Sequence, residues 1–151
     1  MYASLTLFIL ALVSSDIERP VSCREDRRAA ERAERMSDLP PEIQQDLNRV
    51  TVGHIGERDR PLRRSHVLIA EERNHLRTRF YRALRFRDVW YVQYEVSLMS
   101  GVQTLGYTRH PDGRFLRSPV LRFGGPACET IRAALSGVLT PIETLSVDLS
   151  N

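Results

Sequence analysis

The sequence lacks lysine: all 22 basic residues among its 151 residues are arginines. A genome rich in G and C produces the same bias, so this count does not by itself indicate a ligand, although guanidinium groups suit carboxylates and phosphates. Aromatic residues make up only 7% of the chain, and there are two cysteines. The main apolar run, LTLFILALV, has nine residues. That is too short for a membrane-spanning helix, which needs about 20.

Sequence motifs that carry catalytic or metal chemistry are lacking as well. The four histidines, His54, His66, His75 and His110, do not have the HExxH or HxH spacing of a metal site. No serine lies in a GxSxG elbow, and neither GVQTLG nor FGGP has the lysine and glycine spacing of a phosphate loop. We therefore expect no cofactor, no metal and no enzymatic activity. A small enzyme that uses a loop histidine, His54 or His110, is the less favoured alternative.

The apolar run at residues 5–13 has the length of the hydrophobic region of a secretory signal peptide. The sequence VSS follows it and places Val13 and Ser15 at positions that signal peptidase accepts. The preceding residues, MYAS, carry no arginine, which departs from the usual pattern. We predict a signal peptide at residues 1–15, a mature chain that starts near Asp16, and a periplasmic or secreted location. The alternative is a buried N-terminal strand or helix in a cytosolic protein.

The two cysteines, Cys23 and Cys128, form an even number in a chain that we expect to be exported, which predicts one disulfide between them. Such a bond joins the start of the N-terminal helical region to the start of the C-terminal helix. It closes a loop of about 100 residues, worth roughly 4–5 kcal/mol in the chain-entropy model. Two buried thiols in a cytosolic protein are the alternative.

Residues 16–151 are predicted to form a single α+β domain with N-terminal helices, a four-stranded antiparallel meander and a closing C-terminal helix. The segment CREDRRAAERAERM is rich in strong helix formers, and SDLPPEIQQDLNRV carries Ile43, Leu47 and Val50 at helical spacing. The closing helix, GGPACETIRAALSGV, has a buried stripe predicted at the positions Ile131, Leu135 and Val138. Residues 66–76 fit either a helix or a short strand followed by a turn, and we favour the strand and turn.

The strands of the meander show the clearest patterns. The segment VWYVQYEVSL alternates strictly between apolar and polar residues, as a half-buried antiparallel strand does. A two-residue turn is predicted at Ser100–Gly101, and a second turn at PDG, residues 111–113. Pro119 cannot donate a hydrogen bond to a neighbouring strand, so the last strand is predicted to lie at the sheet edge.

The first strand of the meander, RTRFYRALRFRD at residues 77–88, has five arginines in twelve residues. A two-residue turn after it sets Arg85 opposite Trp90 and mixes charge into the apolar face. A three-residue turn sets Phe86 opposite Trp90 and keeps the apolar residues together, so we predict this second register. It also sets Arg82 opposite Tyr94, within reach of a cation–π contact.

In that register the exposed face of the sheet carries a set of candidate ligand-binding residues: Arg77, Arg79, Arg85, Tyr81 and Tyr91. Residues 58–87 hold ten arginines against three acidic residues, an excess that attracts anions. A solvated sheet face has the same composition. We expect a small exported, non-catalytic binding or envelope-accessory protein that contacts an anionic ligand or an envelope component. The alternative is a cytosolic arginine-rich protein that binds nucleic acid, a partner that we do not expect if the chain is exported.

Overall fold

The structure, a computed structural model, describes residues 22–51, 55–64, 75–122 and 125–137, with the backbone alone for residues 119–122. The predicted signal peptide, the predicted start near Asp16, and residues His54 and His66 lie outside this part of the chain. Among the described residues, no helix has the length and apolar character needed to cross a membrane.

The fold class predicted from the sequence is confirmed: an antiparallel meander lies between one helix that precedes it and one that follows it. The described helices and strands are β1 (Glu31–Ala33), α1 (Pro41–Val50), β2 (Ile55–Gly56), β3 (Thr78–Phe86), β4 (Val89–Val96), β5 (Val102–Arg109), β6 (Phe115–Arg122) and α2 (Ala127–Leu135). Their order in the sheet is β1-β3-β4-β5-β6, and the short strand β2 pairs in parallel with the start of β3.

Helix α1 covers one face of the sheet. It begins where Pro41 occupies the first helical position, a place where a missing N–H costs nothing. Ile43 and Leu47 lie on its buried side, as predicted, and each contributes about 1.5–3 kcal/mol through the removal of its side chain from water. The hydroxyl of Tyr107 on β5 donates a hydrogen bond of 3.1 Å to Asp46 and so fixes the helix on the sheet.

The segment predicted as the first helix does not form one, and this prediction is wrong. A 3₁₀ helix runs from Arg24 to Arg28, and residues Glu31–Ala33 then pair with β3 as an antiparallel strand. The segment has little apolar surface with which a helix could pack, whereas the edge of β3 offers hydrogen bonds to its backbone. The edge pairing therefore overrides the helix propensity of the segment.

The predicted register between β3 and β4 is also wrong. The turn has two residues, Arg87 and Asp88, and Arg85 lies opposite Trp90. A β-bulge between Phe80 and Arg82 inserts one extra residue into β3. Because neighbouring residues of a strand point to opposite faces, that insertion reverses the faces for every residue beyond it. Phe80 and Ala83 therefore share the α1 side of the sheet.

The remaining connections agree in part with the sequence predictions. The PDG turn between β5 and β6 is confirmed, and the N–H of Gly113 donates to the carbonyl of His110. Strand β6, which contains Pro119, lies at the edge as predicted. The connection between β4 and β5 is longer than the predicted two residues, because it runs from residue 97 to residue 101.

Helix α2 lies against β5 on the other face of the sheet. It ends at Leu135 and is followed by Gly137, whose φ of 71° suits the residue after a helix. Its buried stripe is shifted from the predicted one: Ile131 is buried as expected, but the other buried positions are Ala127, Thr130 and Ala134 rather than Leu135. Val138 lies outside the described residues. The Cys23–Cys128 disulfide, predicted from the cysteine count, is present with a Cα–Cα distance of 5.4 Å.

Candidate functional site

The arginines predicted to share one exposed face are separated by the bulge in β3. Arg79 lies opposite Glu95, whereas Arg85 lies opposite Trp90, and residues 95 and 90 of β4 point to opposite faces. These two arginines also have carboxylate partners: Arg79 Nε donates to Glu95 at 2.7 Å, and Arg85 pairs with Glu31. The premise of a common arginine face is therefore wrong.

The two candidate tyrosines are half-buried and contact protein groups. The ring of Tyr81 lies beside two guanidinium groups, with Arg58 at 5.6 Å and Arg82 at 5.9 Å from its centroid. The predicted cation–π contact of Arg82 thus exists, but with Tyr81 instead of Tyr94. Tyr91 packs edge-on against Phe86 at 6.1 Å, and burial raises the pKa of its hydroxyl. A ligand-binding role for Tyr81 and Tyr91 stays a prediction.

Arg82, which the sequence placed on the apolar side of the strand, is completely buried. Its Nη1 donates to Asp26 at 2.8 Å, its Nε donates to Gln93 at 2.8 Å, and its Nη2 donates to the Cys23 sulfur at 2.9 Å. Burial lowers the pKa of this guanidinium, and the charge of Asp26 opposes that shift. A lone arginine in an apolar pattern signals a buried partner, but the sequence pattern does not say which carboxylate provides it.

Gln93 continues this buried polar network toward α2. Its side-chain nitrogen donates to the hydroxyl of Thr130 at 2.7 Å and to the carbonyl of Ala127 at 2.9 Å. Both acceptors belong to the first turns of α2, close in sequence to Cys128. The position of α2 on the sheet is therefore fixed by directional hydrogen bonds as well as by the disulfide.

A cavity of about 530 Å³ opens at the C-terminal end of α1, between the start of β3 and the end of β4. We name it the α1-end pocket. Among the described residues, its walls are apolar apart from hydroxyls and two arginines, and they include no carboxylate side chain. The lining residues are Val50, Thr51, Arg63, Arg77, Thr78, Tyr94, Val96, Ser97 and Leu98.

Ser97 fixes the backbone of both arginines of the α1-end pocket. Its N–H donates to the carbonyl of Arg77 at 2.7 Å. Its hydroxyl donates to the carbonyl of Arg63, also at 2.7 Å. One residue thereby ties two segments that are distant in sequence, and it places their guanidinium-bearing side chains at one cavity. Sequence reasoning treated Ser97 as an ordinary strand serine and missed this contact, for which the sequence carries no visible signal.

The electrostatics of the α1-end pocket favour an anion. The C-terminal end of a helix carries about half a negative charge, and at α1 the Thr51 hydroxyl offsets part of it by donating to the Leu47 carbonyl at 2.7 Å. Arg77 supplies a full positive charge against this partial charge, and Arg63 also lines the cavity. Arg77 is exposed at the rim, and of the five candidate ligand-binding residues it is the one that lines this pocket.

Two features of the wall are costly for the protein in the absence of a ligand. Leu98 is 44% exposed and has a φ of 68°, a left-handed conformation that costs a residue with a Cβ about 1–2 kcal/mol. The hydroxyl of Thr78 is buried without a hydrogen-bond partner in the described part of the chain. Local strain and unsatisfied polar groups concentrate at functional sites.

Two further cavities have mixed charge. One of about 410 Å³ contains Trp90 together with Arg85, Glu31 and other residues of both charge signs. The other, of about 500 Å³, lies between Asp46 and Arg117. In both, carboxylates lie beside the arginines, whereas the described lining of the α1-end pocket includes no carboxylate.

Of the four histidines, His110 has a carboxylate partner in the described structure. Its Nδ1 lies 3.3 Å from Asp112, on an exposed turn. Hydrogen bonds from Arg114 lower the pKa of Asp112 to about 2. None of the described residues that line the three cavities above is a histidine. Within the described residues, no cluster of three or more histidine, cysteine, aspartate or glutamate side chains is arranged to hold a metal ion.

The chain was compared with models of protein families, with curated proteins and with solved structures. It matches none of them. The proposed function is therefore based on the chemistry of the α1-end pocket.

Proposed function

We propose that this chain is a small exported binding protein that holds an anionic ligand with an apolar body in the α1-end pocket. The observation that carries the proposal is the exposed Arg77, whose backbone Ser97 holds beside apolar walls in a cavity with no carboxylate among its described lining residues. A free carboxylate or phosphate ester with a hydrocarbon chain matches both properties of the cavity.

The pocket has the size and composition of a small-molecule site. Its volume of about 530 Å³ lies within the usual range for ligand cavities, roughly 300–1,000 Å³. Val50, Val96 and Leu98 supply aliphatic contact area, which contributes about 25 cal/mol for each Å² removed from water. A charge-assisted hydrogen bond from a guanidinium to the ligand's acid group adds about 1.5–3 kcal/mol.

The lining groups favour binding over catalysis. Arginine stays protonated at neutral pH and does not act as a general base. A hydroxyl becomes a nucleophile when a base lies next to it, and in the part of the chain that the structure describes, no histidine or carboxylate lines the α1-end pocket. The hydroxyls of Thr51 and Ser97 already donate to backbone carbonyls. The set can orient an anion but has no group to move its protons.

Export is supported by two independent features. The apolar run with VSS at residues 5–15 has the pattern of a cleaved signal peptide. The Cys23–Cys128 disulfide persists in oxidising compartments such as the periplasm or the exterior. Nucleic-acid binding in the cytosol has less support, because Arg79, Arg82 and Arg85 each pair with a carboxylate.

The intact mass of protein purified from its native host tests the export part of the proposal. We expect a chain that starts near Asp16 and is lighter by two hydrogens than its reduced form. An uncleaved chain that begins at Met1 and is recovered from the cytosolic fraction would contradict export, whatever the pocket binds.

Calorimetric titration with octanoate tests the binding part. We expect octanoate to bind, while octylammonium, which has the same chain and the opposite charge, and inorganic phosphate, which has no chain, bind at least tenfold more weakly. The substitution Arg77→Gln should weaken octanoate binding at least tenfold, since one charge-assisted hydrogen bond of about 1.5–3 kcal/mol is lost.

Arg28→Gln is the matched control, because Arg28 is exposed in the N-terminal 3₁₀ helix and does not line the pocket. It makes the same change in net charge and should leave the affinity for octanoate unchanged. Equal weakening by Arg77→Gln and Arg28→Gln would show a nonspecific charge effect and refute a site at the α1-end pocket. Equal binding of octanoate and octylammonium would refute the anion preference.

A further inference from the structure

The Cys23–Cys128 disulfide has two chemically different ends. Cys23 is 4% exposed and lies against the buried Arg82, whose Nη2 donates to its sulfur at 2.9 Å. Cys128 is half-buried and lies in the first turn of α2. The Cys128 end is therefore the more open to solvent, and the Cys23 end faces a positive charge.

A positive charge beside a cysteine sulfur stabilises its thiolate and lowers the pKa of the thiol from about 8.5. In thiol–disulfide exchange, the sulfur with the lower thiol pKa is the better leaving group. The contact with Arg82 thus favours a break in which Cys23 departs as the thiolate.

The described charged groups around this sulfur form ion pairs, and within them the guanidinium of Arg82 contacts the sulfur. Asp26 accepts from Arg82 Nη1 at 2.8 Å and from the Cys23 N–H at 3.0 Å, so it opposes the effect of Arg82. Arg32 lies 3.7 Å from the same Asp26 oxygen and offsets that carboxylate. Glu25 pairs with Arg132 at 3.0 Å, so these two charges offset each other. Arg32 also pairs with Glu34 at 3.3 Å, so the positive group that acts on the sulfur directly is Arg82, through its hydrogen bond of 2.9 Å.

We infer that this disulfide exchanges with external thiols at Cys128. An external thiolate attacks the Cys128 sulfur, a mixed disulfide forms there, the original S–S bond breaks, and Cys23 leaves as a thiolate held by Arg82. When the external thiol is a dithiol, its second thiolate then attacks the dithiol sulfur that is bonded to Cys128. This attack closes the disulfide of the external molecule and releases Cys128 as a thiolate. The dithiol is oxidised by two electrons and the protein disulfide is reduced. The N-terminal end of α2 stabilises the second leaving thiolate.

Trapping of the mixed disulfide tests the direction of attack. The oxidised, folded protein is incubated with reduced glutathione, quenched with acid, alkylated and mapped by mass spectrometry. We expect glutathione on Cys128 and the alkyl group on Cys23. Glutathione on Cys23, or adducts that form only in denaturant, would overturn the inference and leave an inert structural disulfide.

Equilibration in glutathione buffers tests the role of the charges. Asp26→Asn removes the opposing carboxylate and should raise the equilibrium constant for reduction about tenfold, since one unit of thiol pKa is a factor of ten. Arg82→Gln should lower the constant by a similar factor. If Asp26 and Arg82 only stabilise the fold, both substitutions destabilise it and shift the equilibrium constant for reduction in the same direction. That result would contradict the inference.

Two further variants keep this test decisive if Arg82→Gln fails to fold. Arg82→Lys retains the positive charge and should keep both the site of the glutathione adduct and the equilibrium constant within a few-fold of the starting protein. Asp38→Asn makes the same chemical change as Asp26→Asn at an exposed residue of a short 3₁₀ helix, Met36–Asp38. It should leave the constant unchanged, and a tenfold rise in this control would refute the assignment to Asp26.

Discussion

Gly101, in the connection between β4 and β5, has no space for a side chain. A Cβ at this position would lie 2.3 Å from the carbonyl oxygen of Gly125 and 2.5 Å from its nitrogen. Both are backbone atoms, so no side-chain rotation relieves the overlap. The same carbonyl accepts a hydrogen bond of 3.0 Å from Val102, and the chain that follows it enters α2 and the disulfide. Gly101→Ala should therefore disturb the attachment of α2 to the sheet.

The expected loss of stability has two parts. Gly101 has a φ of 77°, and a Cβ in this left-handed region costs about 1–2 kcal/mol. The overlap with Gly125 adds the usual cost of overpacking, about 1–3 kcal/mol. Alanine also restricts the unfolded chain, which by itself raises the free energy of unfolding by about 0.4–1 kcal/mol. The sum is a loss of roughly 1–4 kcal/mol in the free energy of unfolding.

Gly113 provides a matched control, because it has a φ of 89° but a Cβ there would meet nothing within 4 Å. Gly113→Ala carries the conformational cost and the unfolded-state effect without the overlap. Urea unfolding followed by the fluorescence of Trp90, the chain's one tryptophan, measures both variants. We expect Gly101→Ala to unfold at a lower urea concentration than Gly113→Ala. Equal midpoints would refute the close approach to Gly125.

Two more predictions concern covalent and ionic contacts. Replacement of Cys23 and Cys128 by serine should lower the free energy of unfolding by about 4–5 kcal/mol, because the disulfide closes a loop of about 100 residues; a loss below 1 kcal/mol in urea unfolding would contradict this. An NMR titration should place the pKa of Asp112 near 2 and, in Arg114→Gln, move it toward the ordinary aspartate value of 3.8. The contribution of Asp112 to the free energy of unfolding is then full above about pH 4 and is lost as the pH falls toward 2. An unchanged titration midpoint of Asp112 in Arg114→Gln would exclude Arg114 as the cause of the lowered pKa.

The parts of the fold that the sequence predicted are those that local patterns determine. Ile43 and Leu47 recur at helical spacing with prolines ahead of them, and α1 forms there. The segment around Trp90 and Val92 alternates in period two, and β4 forms there. Pro119 marks an edge strand because it lacks an N–H. Each of these signals is complete within about ten residues of the chain.

The errors arise where partners distant in sequence decide the structure. Continuous alternation through β3 predicts that Arg79 and Arg85 lie on the same face. The single residue inserted at the bulge places them on opposite faces, and the alternation of apolar and polar residues does not show where a bulge occurs. The same bulge lets Arg82 reach Asp26, a residue 56 positions away in the chain. The N-terminal segment has helix propensity, yet its backbone finds hydrogen bonds at the edge of β3.

Of the residues that line the α1-end pocket, the sequence predicted one, Arg77, as a ligand-binding residue. The α1-end pocket joins the end of α1, the chain near Arg63, the start of β3 and the end of β4, so its members are separated by tens of residues. Their contact depends on two hydrogen bonds from Ser97 to backbone carbonyls. Carbonyls belong to every residue, so no composition or spacing identifies such an acceptor in advance.

The position of the disulfide has a mechanical consequence. Every described strand, from β1 to β6, lies between Cys23 and Cys128 in the chain, and so does α1. A pulling force applied to the chain before Cys23 and after Cys128 therefore passes through the S–S bond, and the sheet carries no tension. Once the bond is reduced, the same force is borne by the hydrogen bonds between the strands, and the 105-residue separation between the cysteines becomes extensible length.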